Sequence, residues 1–281
     1  MIRKAVRRVV RTAPRSGALA GLPRRGTGRG STVAVVERLA AIFALFTGGI
    51  PEMHLRDITG ALGLRRSTTH RYLNSLVRAG LLRQVRVSTY GLGPLLIQLG
   101  ATAVGALRVV NLGENYLQRL VEEGGETAVM SIWSGHGPVV VRVREPLSKL
   151  IQIRVAVGSA LPIASAQGTI FLAWHRDATA VRNLLEHLAP AQRAELIREI
   201  ESVRQHKVAI SAQVVDGIRT VAVPVFDHET VAATLAFVGT TAGIPADPNS
   251  GLVAALREAA SRLSRELGYA GGIEAEERAS K

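Results

Sequence analysis

The sequence predicts a protein of mixed α/β (α+β) class that folds as two domains. Its length of 281 residues fits two domains of about 100 to 200 residues each. Residues 55–92 pass from helical to strand-like patterns, which indicates a small helical domain with a hairpin. Beyond residue 111, strand-like segments lie at both ends of a helical middle, which favours one mostly antiparallel sheet with helices packed against it. The predicted boundaries are 31–93 for the first domain, 94–111 for a linker helix and 112–270 for the second domain.

The first domain has the pattern of a winged helix-turn-helix. Its predicted elements are helices at 31–46, 55–62 and 66–79 and β-rich runs at 81–87 and 89–92. Gly63 and Leu64 supply the short turn between the two helices of the motif, and Gly80 ends the second helix. The two β-rich runs form the wing, whose turn lacks a glycine.

The second helix of this motif has one apolar and one polar face. At 100° per residue, Thr69, Leu73 and Leu76 share the packing side, and basic and hydroxyl side chains lie opposite. A polar face of this kind can enter the major groove of DNA, while the arginines of the wing lie along the phosphates. The predicted DNA-binding residues are Arg66, Ser67, Thr68, His70, Arg71, Asn74, Ser75, Arg78, Arg83 and Arg86. The alternative is an ordinary three-helix domain with a solvated polar face.

Positive charge is concentrated in the N-terminal third of the chain. Residues 1–30 contain nine basic residues and no acidic one, residues 31–93 contain eight and three, and residues 94–281 contain 18 and 19. Because neutralised phosphates supply most sequence-independent affinity for DNA, this asymmetry indicates a polyanionic partner for that third.

Both ends of the chain are predicted to be tails. The acid-free, glycine-rich residues 1–30 predict a disordered basic tail. A transit peptide or a twin-arginine signal fits less well, since no apolar core of about seven residues follows Arg7 and Arg8. Residues 271–281 predict a flexible tail.

The segment from Gly91 to Leu107 has no charged residue, yet it does not predict a membrane span. It is 17 residues long and contains Pro94 and several glycines, whereas a bilayer needs about 20 predominantly apolar residues. An interdomain linker helix with an apolar face is the better interpretation. Such a helix would pack on a second copy of the chain and give a homodimer, with burial inside one chain as the alternative.

The second domain alternates predicted helices and strands. The helices are 111–123, 166–174, 178–187, 190–206 and 249–267, and the strands are 126–133, 138–143, 151–155, 209–213, 218–225 and 231–239. A turn at 227–230 joins the last two strands as a hairpin.

Catalytic and metal-binding motifs are missing from the sequence. The seven histidines are scattered without an H-E-x-x-H pattern, and Ser165 lacks the flanking glycines of a nucleophile elbow. The absence of cysteine excludes disulfides and thiolate metal sites and suits a reducing cytoplasm. We therefore expect no catalytic residue, no metal and no cofactor. Two alternatives stay open: a metabolite-processing enzyme with an accessory DNA-binding domain, and an architectural DNA binder without sequence preference.

Four motifs in consistent order give the chain a resemblance to a known family. They are the segment from Arg66 to Leu73, then Tyr90-Gly91-Leu92-Gly93-Pro94, then Leu161-Pro162-Ile163, and finally the run from Gly217 to Val225. Over about residues 31–268, the chain resembles the IclR family of bacterial transcriptional regulators. The resemblance implies a winged helix-turn-helix joined by a linker helix to a GAF-like effector-binding domain. It also implies a dimer or a dimer of dimers that binds double-stranded operator DNA and responds to small organic acids or aromatic metabolites.

The resemblance also implies an effector site between the loop after Pro162 and the strand that begins at Gly217. The residues that it implies for effector binding are Trp133, Ile163, Ser165, Gln167, Gly168, Thr169, Gly217, Thr220 and Ala222. A helix N-terminus favours anions, so Ser165 and Thr169 would suit a carboxylate, although Ser165 fits a helix N-cap equally well. Thr169 stands where lysine or arginine is frequent in the family. The resulting prediction is a cytoplasmic, homodimeric, sequence-specific regulator with a carboxylate or aromatic effector.

Overall fold

The computed structural model describes residues 33–47, 50–147, 149, 153–211, 217–228 and 230–270. The two predicted tails, 1–30 and 271–281, lie outside the described residues. The chain divides into two compact units, Met1–Ile97 and Gln98–Lys281.

The N-terminal unit is a three-helix domain with a small sheet. Its elements are α1 (Ala34–Ala44), β1 (Glu52–His54), α2 (Leu55–Leu62), α3 (Arg66–Arg78), β2 (Leu82–Arg86) and β3 (Thr89–Leu92). Helix α2 has the predicted bounds, and α3 ends one residue before the predicted end. Gly63 closes α2 with a φ of 62°, the left-handed conformation that glycine adopts without strain. Helix α1 is shorter than predicted, because Leu45 and Phe46 form a turn and are buried.

Strand β1 is an element that the sequence did not predict. It pairs antiparallel with β3, and the sheet order is β1-β3-β2. The strand is only three residues long and follows Pro51, so it shows no readable alternation of apolar and polar residues. Its existence depends on pairing with a segment that follows more than 30 residues later.

The core of the N-terminal unit confirms the predicted packing face of α3. Leu73 and Leu76 are buried against Ile58 of α2 and Tyr90 of β3. Thr69 is also fully buried on this side of the helix. The opposite side of α3 is therefore left for solvent or a partner.

Gly93 allows the chain after β3 to pass directly over the end of α3. A Cβ atom at this position would lie 2.1 Å from the carbonyl oxygen of Gly80. The crossing is fixed by two backbone hydrogen bonds: Gly93 N donates to Leu81 O at 2.9 Å, and Leu95 N donates to Gly80 O at 3.1 Å. Only glycine fits here, since the obstructing atoms belong to the backbone.

The C-terminal unit is one sheet between two layers of helices. Its helices are α4 (Pro94–Gly105, which begins in the N-terminal unit), α5 (Arg108–Gly124), α6 (Ala166–Ala173), α7 (Ala178–Glu186), α8 (Pro190–His206) and α9 (Gly251–Glu266), and its strands are β4 (Thr127–Trp133), β5 (Pro138–Arg144), β6 (Ala209–Ser211), β7 (Ile218–Asp227) and β8 (Thr230–Thr240). The strand order is β5-β4-β8-β7-β6, and every pairing in it is antiparallel, which confirms the predicted sheet. Helices α5 and α9 pack on one face, and α6 and α8 pack on the other.

The predicted linker helix over 94–111 is interrupted. Helix α4 ends at Gly105, and α5 begins at Arg108, three residues before the predicted start of the next helix. The side-chain amide of Asn111 donates a hydrogen bond to the carbonyl of Gly105 at 2.9 Å and so satisfies a free C-terminal acceptor of α4. Among the described residues, no single helix is long and apolar enough to cross a membrane. Helices α4 and α5 meet that test only as a pair bent by 80°.

The predicted strand over 151–155 is not found in its described part. Residues 153–155 have no strand conformation, and residues 151 and 152 lie outside the described residues. The edge of β5 is instead taken by a later segment, since Gly158 N donates to Val140 O and Leu161 N donates to Pro138 O. The apolar side chains of Ile153 and Val155 pack against the buried valines beside this edge, which accounts for the strand-like pattern.

We predict that Gly93→Ala lowers the free energy of unfolding by about 2 kcal/mol, because the backbone at Gly80 cannot give way. Urea denaturation followed by circular dichroism measures this loss. Gly60→Ala is the matched control: Gly60 is exposed in α2, with open space around the new methyl group. It should stabilise the chain by about 0.5 to 1 kcal/mol. Equal effects of the two substitutions would contradict the close crossing at Gly93.

Candidate DNA-binding surface and effector site

The polar face of α3 forms a continuous exposed surface. Nine of the ten residues predicted to bind DNA are exposed, and Thr68 is half-buried beside the fully buried Thr69. The amide of Asn74 lies 3.3 Å from His70 Nδ1, and the hydroxyl of Ser75 donates to the carbonyl of Arg71 at 3.0 Å. The side chains of His70 and Asn74 thus contact each other, and the Ser75 hydroxyl is held by the helix backbone.

The wing places two arginines on β2. Its turn contains Ser88 with a φ of 57°, so a serine takes the left-handed position that glycine commonly fills. Arg83 is exposed, whereas Arg86 forms an ion pair with Glu52 of β1 at 2.8 Å. An exposed ion pair is worth little, about 0 to 1 kcal/mol, so a phosphate group can compete for Arg86.

The electrostatic character of this surface follows from an acid-free stretch of sequence. No aspartate or glutamate lies between Asp57 and Glu114, a stretch that contains all of α3, β2 and β3. Glu52 is the acidic residue that approaches the wing. The ion pair between Glu52 and Arg86 is thus a carboxylate contact at the wing, whereas the exposed side of α3 itself carries basic side chains and no acidic one, which favours a polyanion.

The hydroxyl groups near the N-terminus of α6 form hydrogen bonds with the backbone of its first turn. Ser165 is the N-cap: its Oγ accepts a hydrogen bond from Gly168 N at 3.2 Å. Thr169 Oγ1 donates to the carbonyl of Ser165 at 3.1 Å. Gln167 is buried, and its side-chain oxygen accepts a hydrogen bond from Thr234 of β8 at 3.4 Å.

Gly168 has a packing role in this region. A Cβ atom there would lie 2.3 Å from the carbonyl oxygen of Ile163, so the preceding loop can lie directly against α6 only when this residue is glycine. Gly217 has a φ of 79° where β7 begins. Residues 212–216, immediately before it, lie outside the described residues.

A cavity of about 310 Å³ lies between α6, α8 and β6, and we call it the α6–α8 cavity. Thr169 is the one residue among the nine predicted effector contacts that lines it. Thr220 pairs with Ser211 of β6, which also lines the cavity, so it is a direct neighbour. Trp133 instead packs against Phe171 and His175. The structure therefore does not gather all nine residues around one cavity.

Helix α8 contributes a carboxylate to this cavity that the sequence did not reveal. Glu199 lines the cavity, together with Ser202 and His206. Burial raises the pKa of the Glu199 carboxyl, and repulsion from Glu195 raises it further, while a hydrogen bond with Thr169 acts in the opposite direction. In the sequence, Glu199 is one of several charged residues in a polar helix, and nothing marks it out.

An exposed basic helix beside an arginine-bearing hairpin defines a DNA-binding protein of the winged-helix class. The family descriptions "IclR helix-turn-helix domain" and "Bacterial transcriptional regulator IclR C-terminal" match residues 35–86 and 101–265. The chain belongs to the IclR family of bacterial transcriptional regulators.

Individual relatives agree with this assignment. The chain is 30% identical over 247 residues to HTH-type transcriptional regulator XynR of Escherichia coli (strain K12), covering 83% of this chain and 97% of that protein. An IclR transcriptional regulator structure from Alicyclobacillus acidocaldarius is 28% identical with a TM-score of 0.70, covering 84% of this chain and 99% of that one. An IclR homologue from Microbacterium hydrocarbonoxydans, solved with 4-hydroxybenzoate, is 20% identical with a TM-score of 0.69 over 83% of this chain and 99% of that one. This last likeness shows the fold alone.

We predict that Arg71→Ala weakens binding to a specific site by about 1 to 3 kcal/mol and relaxes preference at one base-pair position. The reason is that Arg71 is exposed near the middle of α3, on the face opposite the core. Arg83→Ala in the wing is the matched comparison, and it should weaken specific and random DNA alike and reduce the salt dependence. Fluorescence anisotropy on both DNAs at several salt concentrations measures each effect. Equal losses on both DNAs for Arg71→Ala would make it a phosphate contact.

Proposed function

We propose that this transcriptional regulator binds a specific operator as a homodimer and that a small organic effector changes its operator affinity. The observation that supports DNA recognition most strongly is the exposed, acid-free face of α3 beside the wing. In this proposal, α3 enters the major groove with its N-terminal residues, and Arg83 and Arg86 contact phosphates.

The proposed contacts on α3 divide by chemistry. Arginines suit the acceptor pair of guanine, and Asn74 suits the donor and acceptor of adenine. Hydroxyl groups of Ser67, Thr68 and Ser75 suit phosphates or base edges. Arg66, at the first turn of α3, and Arg78, at the last, lie towards the two ends of the helix.

Helix α4 supports the proposed dimer. None of its residues is buried, and it has no charged residue. Ile97 and Leu99 expose 70% and 53% of their surface within this uncharged helix, and a contiguous exposed apolar surface marks an interaction site. Packing against α4 of a second copy would remove this apolar surface from water. A dimer, or a dimer of dimers, then presents two recognition helices related by a two-fold axis.

The α6–α8 cavity is our candidate effector site. Its volume of about 310 Å³ fits a small organic molecule. The Glu199 carboxylate would repel an anionic group and accept a hydrogen bond from a hydroxyl. Of the two effector classes that we considered, the structure therefore favours an aromatic compound with a hydroxyl group over a carboxylate.

We infer that the chain is not an enzyme and that it acts in the cytoplasm, where its DNA partner is found. Membership of a regulator family supports both inferences. The Ser165 hydroxyl caps α6, which is the role of a structural group, and the Thr169 hydroxyl donates to the carbonyl of Ser165.

We predict that selection from a random duplex library with the full chain yields a pseudo-palindromic site, because two symmetry-related helices contact two half-sites. The half-sites should be separated by one helical turn or a multiple of it. Binding should occur as a dimer in sedimentation analysis of the complex. A library that shows no enrichment would support an architectural DNA binder instead, and a single unrepeated half-site bound by a monomer would contradict the dimer.

We also predict that Glu199→Gln shifts effector preference towards anions. The ratio of the affinity for 4-hydroxybenzyl alcohol to that for 4-hydroxybenzoate should fall about tenfold at neutral pH, because the repelling charge is gone. In the unaltered chain, affinity for the anion should rise as the pH falls, since protonation of Glu199 begins nearer neutral pH than for an ordinary glutamate. Isothermal titration calorimetry measures both.

The control for this substitution is Glu201→Gln, which removes the same charge from an exposed position on α8 outside the cavity. It should leave the affinity ratio and its pH dependence unchanged. Equal responses of the two variants would show that the cavity is not the effector site. Consumption of the ligand without any change in operator affinity would favour the enzyme alternative.

A further inference from the structure

A second and larger cavity lies on the other side of the C-terminal unit, between α9, the end of α8 and β7. Its volume is about 410 Å³, and we call it the α9 cavity. His206 at the end of α8 lines both cavities, and the other residues differ. The α9 cavity contains none of the nine residues predicted for the effector.

The α9 cavity lies beside a part of β7 whose outer side pairs with no strand among the described residues. Strand β6 pairs with β7 only as far as Ala222, so the rest of β7 forms an edge. This edge offers few donors to another strand. Pro224 has no N–H group, and Phe226 N donates to the buried Ser264 Oγ at 2.9 Å. The cavity is therefore not suited to an added β-strand.

The wall of the α9 cavity includes a stacked pair of aromatic rings. Phe226 and Tyr269 both line it, with ring centroids 4.7 Å apart and planes inclined by 18°. Trp174 also contacts Phe226, with ring centroids 5.2 Å apart and the two rings nearly perpendicular. Ala260 of α9 adds a small apolar side chain. A flat apolar group would find a matching surface here.

The rim of the α9 cavity is cationic. Lys207, Arg257 and Arg265 line it, and none of the described residues that line the cavity has a carboxylate. Lys207 Nζ lies 5.8 Å from the centre of the Phe226 ring, and Arg257 donates a hydrogen bond to the carbonyl of His206 at 3.1 Å. Since residues 94–281 contain slightly more acidic than basic residues, this clustering does not reflect the composition of the unit.

We propose that the α9 cavity binds an organic anion with a flat apolar body, such as an aromatic carboxylate. Its ring packs against Phe226 and Tyr269, and its carboxylate pairs with the cationic rim. The two cavities of the unit thus differ in charge: Glu199 faces the α6–α8 cavity, and arginine and lysine face the α9 cavity. This site goes beyond the proposed effector site and does not depend on it.

The test is calorimetric titration of the full chain with benzoate. In the double variant Lys207→Gln, Arg265→Gln, affinity should fall about tenfold or more, because two exposed charges that face the cavity are lost. Arg262→Gln is the matched control, since Arg262 lies on the same helix, pairs with Glu258 and does not line the cavity. It should leave benzoate affinity unchanged. Benzyl alcohol, which has the ring without the charge, should bind about tenfold more weakly than benzoate.

A second measurement locates the bound benzoate. The chain has two tryptophans, and Trp133→Phe leaves Trp174, which contacts Phe226 of the cavity wall. Benzoate should then change Trp174 fluorescence with the affinity found by calorimetry. Unchanged benzoate affinity in the double variant, or no fluorescence response at Trp174, would overturn the proposal. So would self-association on this face in place of benzoate binding, measured by sedimentation. The double variant should still bind 4-hydroxybenzyl alcohol, so failure here is distinguishable from failure of the effector site.

Discussion

The β7–β8 hairpin is buried on both faces, and the helices of the C-terminal unit are arranged around the side chains that it presents. Towards α5 and α9 it presents bulky residues, including Val221, Val223 and Phe237. Towards α6 and α8 it presents Ala222 and Ala236. Small side chains on that second face allow α6 to approach the sheet closely. Because this packing is tight, the α6–α8 cavity and the α9 cavity lie at the edge of the sheet, where β6 is short.

The N-terminal unit has a different requirement. The helix proposed to contact DNA, α3, must be fixed in position while one of its faces stays exposed to solvent. Helix α3 gives its apolar side to a core that includes Tyr90, and the chain returns over its end at Gly93. A short sheet that includes the unexpected strand β1 closes the unit. Rigidity on the buried side and an exposed polar side are the two requirements for groove recognition.

The sequence was sufficient where the determinants are local. Helices α2 and α3 were predicted almost to the residue, because Gly63 and Gly80 end them and their apolar spacing is regular. Strand β1 and the position of Glu199 depend on contacts distant in sequence, which a pattern cannot show. The predicted strand over 151–155 had the right apolar pattern, but residues 158–161 hold the edge beside β5. The same limit applies to the α9 cavity, whose cations come from the residue after α8 and from α9.

The basic groups proposed to contact DNA are arginines and one histidine. The chain has four lysines, Lys4, Lys149, Lys207 and Lys281, and none of them lies on α3 or in the wing. Acetylation removes the charge of lysine, so this modification has no target on the recognition surface itself. Arginine also stays protonated throughout the physiological pH range. The arginine charge proposed to meet DNA is consequently fixed, and in our proposal the control over operator occupancy belongs to the C-terminal unit and to assembly.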